Sequence, residues 1–296
     1  MCDYVLLWLI VYLSYLAFPL LAWLIYLAVK KRRSLYFVLV FFILLFIYAR
    51  FVEPNLIKID YETIDLNGKG NGLKVIVAGD FHIGLFSSQA KLKRIVDRIN
   101  TLDGDLVLIP GDFVFKLAID NFSEFTELKK IKLPLAVVLG NHDYGRPRGT
   151  DVAVELIATL EADGIRVLDN QTEDLVIKGR AIKLVGLSDY YNNNADFKLL
   201  KKDTPNQLLI SLTHNPDILY QYPTSSEADL TIAGHTHGGQ IRLPWLYKLA
   251  IPSDYGFDAG LYQIGNYPVF VSSGLGTVGL PMRFLCRPEI NVLELK

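Results

Sequence analysis

The sequence predicts a layered α/β domain, with central β-sheets flanked by helices, behind an N-terminal transmembrane segment of one or two helices. Three observations lead there. The apolar residues that raise the mean hydropathy to +0.28 are concentrated at the start of the 296-residue chain. Beyond residue 52, short apolar runs alternate with helical patterns. All five histidines follow such runs directly, beside Asp, Asn or Gly.

The anchor is expected over residues 1–52 and the large domain over 53–296. Residues 4–29 form an uninterrupted uncharged run of 26, rich in Leu, Ile, Val, Tyr and Trp. As a helix it would be about 39 Å long, against a hydrocarbon core of roughly 30 Å, so it can span with tilt. Pro19 is expected to kink it. A cleavable signal peptide would begin with basic residues and carry an apolar stretch of only about 7–15, whereas here Lys30, Lys31, Arg32 and Arg33 follow the run. Permanent anchoring is therefore expected, and no cleavage-type signal supports lipidation of Cys2. A second run, 35–49, reaches the length of a span if it continues past a snorkelling Arg50 to Val52. The basic cluster should stay cytoplasmic. Two spans, favoured by the sequence, would put the large domain outside the cytoplasm; one span would put it inside.

In the large domain, alternation over 56–62 reads as a leading strand. The turn cluster 67–72 precedes a buried-type strand at 73–78. A helix is expected over 88–101, with Leu92, Ile95, Val96 and Ile99 on its core face and Lys91, Arg94 and Arg98 on a solvated one. Further strands are expected at 106–109, 135–139, 182–187, 208–212 and 230–233. Helices are expected at 122–131 and 152–163, with shorter ones near 195–202 and 216–221, and the stretch 261–295 looks strand-rich. This alternation predicts the layered α/β class.

Composition removes several functions. Hydrophobicity is too high for disorder. The last 240 residues carry 25 basic and 29 acidic side chains, so no nucleic-acid partner is expected. Two cysteines, Cys2 and Cys286, cannot build a disulfide framework or a cysteine zinc site.

The chemistry lies after the strands. Asp80 and His82 follow the first buried strand, two residues apart and so directed to one side. Gly111-Asp112 follows the second. Gly140-Asn141-His142-Asp143 follows the third, His214 the fourth, and Gly234-His235-Thr236-His237 the fifth. Ligands of open α/β sheets bind at the carboxyl ends of strands. A lone histidine in such a place is usually structural, but five ordered blocks are not explained that way. Carboxylate, amide oxygen and imidazole without thiolate suit Mn, Fe, Zn, Co or Ni better than calcium. The donors exceed one tetrahedral ion and fit two adjacent ions bridged by a carboxylate.

These blocks, over residues 80–237, resemble the calcineurin-like metallophosphoesterases. Gly238-Gly239-Gln240-Ile241, Ser272-Ser273-Gly274-Leu275-Gly276, Pro281, Arg283 and Pro288-Glu289-Ile290 look like its membrane-associated bacterial branch, which includes phosphodiesterases and enzymes that split UDP-2,3-diacylglucosamine. The resemblance implies two divalent ions, manganese favoured. One would sit on Asp80, His82 and His237, the other on Asn141, His214 and His235, with Asp112 bridging. It implies that His142 contacts the phosphoryl group or protonates the leaving group as hydroxide held by the ions attacks. Asp143 is expected to orient His142 or to lie on the surface, and Arg283 to contact a substrate phosphate or to be structural. The expected substrate is a phosphodiester or pyrophosphate, lipid-linked or of the cell envelope. A UDP-2,3-diacylglucosamine pyrophosphatase is the alternative if the domain is cytoplasmic. A non-catalytic membrane-tethered scaffold is the rival from another class, which the complete ligand set disfavours.

Overall fold

The computed structural model describes residues 2–116, 122–147 and 149–296. Of the expected anchor, Met1 lies outside them. The first apolar run is helical in two pieces, α1 (Cys2–Ser14) and α2 (Ala17–Lys31). The break comes four residues before Pro19, where the proline has no N–H to offer and its ring would collide with the Tyr15 carbonyl. That carbonyl instead accepts from Phe18 N at 3.2 Å. A turn through Arg32, in the left-handed conformation at φ 48°, leads to α3 (Ser34–Ile47). The helix tightens and widens through a π turn, Tyr48–Val52, and a 3₁₀ turn, Glu53–Asn55. The two segments 5–31 and 34–55 are long and apolar enough to cross a membrane, and α2 and α3 pack on each other as a hairpin. Arg50 Nε donates to Ser14 Oγ at 3.2 Å, and its guanidinium lies over the Phe51 ring.

The remainder contains β1 (Lys58–Ile64), β2 (Leu73–Val77), β3 (Ile83–Gly84), α4 (Gln89–Ile99), β4 (Leu106–Ile109), β5 (Val114–Phe115) and β6 (Leu135–Val137). It continues with α5 (Ala153–Ala162), β7 (Arg166–Val167), β8 (Gln171–Ile177), β9 (Arg180–Gly186), β10 (Leu208–Leu212) and β11 (Leu230–Ala233). It closes with β12 (Gly260–Ile264), β13 (Tyr267–Val271) and β14 (Glu289–Leu295). The expected central sheets are two six-stranded ones, ordered β1-β14-β2-β4-β6-β7 and β12-β13-β11-β10-β9-β8, with a small β3-β5 pair beside them. The last strand returns into the first sheet, parallel to β1 and antiparallel to β2.

Alternation explains the layers. Val75, Val77, Leu106 and Leu108 point from the first sheet onto Leu208, Ile210, Leu230 and Ile232 of the second, forming the core between them. Ile76, Val107 and Ile109 point the other way, onto Leu92, Ile95 and Ile99 of α4 and Leu156 and Leu160 of α5. Each such fully buried side chain stabilises the fold by about 1.5–3 kcal/mol relative to exposure. Strands buried on both faces read as continuous apolar runs, and so they were legible.

Three details differ from expectation. Lys91 is buried rather than solvated, because it lies one turn before Ile95 and shares the core-facing stripe. Residues 122–130 form a 3₁₀ helix, in which Phe122, Phe125 and Leu128 are buried at a spacing of three that suits three residues per turn. Strand β8 carries polar Thr172, Glu173 and Asp174 at the sheet edge and was not expected. It pairs antiparallel with β9 through Lys178-Gly179, both at positive φ, as a two-residue hairpin turn requires.

Candidate metal centre

The parallel strands of both sheets end at a common edge, where the loops after them meet. The first sheet delivers Asp80 and His82 after β2, Asp112 after β4, and Asn141 and His142 after β6; the second delivers His214 after β10 and His235 and His237 after β11. All eight converge. Asp80, His82, Asp112 and His237 form one buried group, and Asp112, His214 and His235 a second, each with ligand-type atoms within 4.8 Å of one another. Asp112 belongs to both. Its Oδ2 lies 3.4 Å from His82 Nε2 and 3.2 Å from His214 Nε2, while its Oδ1 accepts from the His142 amide at 2.9 Å. Asn141 presents Oδ1 at 3.1 Å from His214 Nε2, its amide fixed by donation of Nδ2 to the Arg146 carbonyl.

The loops carry unusual backbone. Asp80, His82, Asp112, His235 and His237 all have φ between 48° and 73°, a conformation sparsely adopted by non-glycine residues and concentrated at functional sites. Glycine permits the crowding at two points. A Cβ at Gly140 would lie 2.2 Å from Asp112 Oδ1, and one at Gly234 would lie 2.6 Å from Asp80 Oδ2.

The donor chemistry fits cations. His214 Nδ1 donates to the Pro110 carbonyl at 2.7 Å, so in the neutral ring Nε2 carries the lone pair. That lone pair faces Asp112 Oδ2, Asn141 Oδ1 and, at 3.1 Å, His235 Nδ1. In the other group His82 Nε2 and His237 Nε2 are 2.8 Å apart, and Asp80 Oδ2 is buried with no hydrogen-bond partner. Such a cluster of lone pairs needs positive charge. Burial pushes the Asp80 carboxyl up to about 7. Burial would lower His214, but the Asp112, Asp80 and Asp189 carboxylates overcome it and push the ring up to about 10.

His142 differs from the other four histidines, which are buried. Partly buried, its ring stands edge-on to His82 and Phe115 and borders a cavity of about 430 Å³ lined also by Asp112, Asn141, Arg146, Tyr191, His235 and Pro252. Burial, the largest influence, holds its pKa below the ordinary imidazole value.

Asp143 is not on the surface. It is fully buried, and it accepts from Phe113 N and Val114 N at 3.0 Å and from Gly140 N at 2.9 Å, fastening the loop after β4 to the loop after β6. Arg283 is not at the cavity. It is fully buried behind His237, with Nη2 at 3.3 Å from His237 Nδ1 and donating to the carbonyls of Ser273, Gly274 and Gly276. That geometry suits a positioning role rather than substrate contact. Sequence reasoning missed Arg146 and Tyr191, which meet at the cavity through Arg146 Nη1 and the Tyr191 carbonyl at 2.9 Å. Arg146 follows His142 by four residues, the one signal that could have flagged it. Tyr191 had none.

Parallel-strand ends, a shared carboxylate and six further donors form a cluster that two adjacent ions could occupy, as phosphoesterase chemistry requires. Comparison with known proteins agrees: the calcineurin-like phosphoesterase model matches residues 73–239, and the chain belongs to that family. It is 34% identical to the uncharacterized metallophosphoesterase YkuE of Bacillus subtilis, over 84% of this chain and 89% of that one. It is 30% identical to the phosphodiesterase YaeI of Escherichia coli, over 84% and 92%. The UDP-2,3-diacylglucosamine pyrophosphatase LpxG of Chlamydia muridarum is 25% identical, over 85% and 93%. The family depends on two metal ions, and the chain is a metal-dependent phosphoester hydrolase.

Proposed function

We propose that this chain is a membrane-anchored phosphoesterase that hydrolyses a phosphodiester or pyrophosphate of a lipid-linked or cell-envelope molecule, with manganese the favoured metal. The observation that carries the reading is the pair of ligand groups sharing Asp112, open to a cavity that His142 borders. Asp80, His82 and His237 would hold one ion and Asn141, His214 and His235 the other, with Asp112 between them. Bound there, the ions would lower the pKa of a water and offset phosphoryl charge. His142, which borders the cavity and stands outside both ligand groups, is placed to donate a hydrogen bond to a phosphoryl oxygen or a proton to the departing oxygen. Its backbone bond to Asp112 Oδ1 ties its position to that of the bridging carboxylate. Arg146 and Tyr191 line the same cavity and are suited to hold the rest of the substrate.

Residues 1–52 serve as the anchor. The hairpin of α2 and α3, with Lys30, Lys31, Arg32 and Arg33 at its tip, favours a cytoplasmic tip and a catalytic domain outside. The likeness to LpxG supports the other reading, a UDP-2,3-diacylglucosamine pyrophosphatase, which needs the domain inside. The first test is hydrolysis of bis-p-nitrophenyl phosphate by the full chain with added Mn²⁺. Hydrolysis abolished by chelator and restored by metal is expected; hydrolysis indifferent to chelator would overturn the reading.

A further inference from the structure

The loop after the His235 and His237 block carries a surface that hydrolysis does not use. Residues 240–253 leave the site and turn outward, exposing Trp245 (91%), Leu249 (85%) and Leu246 (60%), with Leu243 also exposed. Trp245 is held in the left-handed conformation, at φ 64°, where a bulky side chain is a rare occupant. The loop is fastened rather than loose: Tyr247 Oη donates to Asp258 Oδ2 at 3.0 Å, and the Arg242 guanidinium lies over the Tyr247 ring. A contiguous apolar surface of this kind marks an interaction site.

Its neighbours identify what covers it. Arg242 N donates to the Phe284 carbonyl at 2.8 Å, and Arg283 N donates to the Ala49 carbonyl at 2.9 Å. Cys286 N donates to Glu53 Oε1 at 2.6 Å, and Arg287 Nε to the Leu56 carbonyl at 2.9 Å. The apolar loop is thus held beside the segment 283–287, and that segment is bolted to the foot of the hairpin, where it would leave the bilayer. Leu285, itself 60% exposed, lines one cavity together with Tyr48 of the hairpin and Arg242 of the loop. Neither 239–253 nor 277–287 contains an acidic residue, while Arg242, Lys248 and Arg287 are basic. Tryptophan and leucine backed by basic groups are the composition of a segment lying in the headgroup and acyl boundary.

We infer that residues 243–249, with Leu285, insert into the leaflet next to the hairpin foot, so that the metal cavity faces the bilayer surface. Pro252 and Val278, which line that cavity, connect the two: Pro252 closes the loop, and Val278 is tied to it through Gln240, whose Nε2 donates to the Val278 carbonyl at 3.0 Å. The inference rests on the anchor reading above and adds a second membrane contact on the catalytic domain itself.

The chain has three tryptophans: Trp8 and Trp23 in the anchor, and Trp245. The test reconstitutes the full chain and its W245F variant into vesicles of equal parts phosphatidylcholine and phosphatidylglycerol, with bromine placed shallow or deep in the acyl chains. The W245F signal reports Trp8 and Trp23, and its difference from the parent reports Trp245. Expected is a Trp245 signal shifted to the blue and quenched several-fold more by shallow bromine than by aqueous acrylamide. Quenching by acrylamide alone would overturn the insertion, as would shielding from both agents, the signature of a protein partner or second copy. Trp8 and Trp23 unquenched by bromine would fail the anchor as well and overturn both. Unchanged bis-p-nitrophenyl phosphate hydrolysis by W245F verifies that the variant folds.

Discussion

Asp112 Oδ2 lies 3.2 Å from His214 Nε2, joining the carboxyl edge of one sheet to that of the other. Asp112 comes from the first sheet and His214 from the second, so the contact exists only when the two sheets have packed face to face. The site is therefore a product of the core between them, whose alternating Val, Leu and Ile set the register of both strands.

Because Asp112 belongs to both ligand groups, Asp112→Ala should release metal from both. The expected loss of hydrolysis is at least about a hundredfold, the scale for removing a principal electrostatic contribution, with metal content falling in parallel. Normal hydrolysis by a metal-replete variant would remove Asp112 from the site.

His142→Ala separates metal binding from turnover. Proton transfer by a positioned side chain contributes about 10²–10⁴-fold, so kcat should fall by that order while bound metal stays at the parental level. Metal analysis beside steady-state kinetics distinguishes this outcome from a loss of both.

Arg283 touches no cavity surface, yet it backs His237 and three carbonyls of the 273–276 loop. Arg283→Met should weaken metal affinity about 10–100-fold, the usual effect of losing a group that orients a ligand. Rescue of hydrolysis by excess Mn²⁺ would mark a positioning role; unchanged metal affinity in the variant would contradict it.

The sites after the strands were legible because aspartate, asparagine and histidine at five apolar run ends have no common structural reason to be there. What the chain did not disclose follows from geometry at a distance. Tyr191 reaches the cavity through a capped turn at Asp189, whose Oδ2 accepts from Tyr191 N at 2.9 Å, and nothing local marks it. Lys91 reads as a surface cation by residue type, and only its place one turn before Ile95 reveals its burial. The edge strand β8 has too few apolar residues to register, since its pairing with β9 rather than its own burial makes it a strand.

Lys91 also predicts a pH dependence. Burial first, then Arg283 and Arg94, push its ammonium down to about 7. The unfolded chain keeps that proton to about pH 10.4. Between these values the unfolded state binds more protons, so the contribution of Lys91 to stability rises with pH, and its penalty is fully present below about 7. Lys91→Met should therefore stabilise the fold most near pH 6, by a few kcal/mol with an upper bound of about 5, and the gain, read as the rise in thermal midpoint, should shrink by pH 9. A gain that does not vary with pH would contradict this.

The basic hairpin tip predicts that a reporter fused after Lys296 is active only outside the cytoplasm. Replacing Lys30, Lys31, Arg32 and Arg33 with neutral residues should send a fraction of the chains into the opposite orientation. Cytoplasmic activity of the parental fusion would instead favour the pyrophosphatase reading.

The central claim is that two ions share Asp112. Titrating the metal-free full chain with Mn²⁺, while following bound metal and bis-p-nitrophenyl phosphate hydrolysis together, tests it most directly. The two ligand groups predict binding that saturates at two ions per chain, with hydrolysis developing as the second ion enters. Full activity at one ion, or without any, would contradict the account.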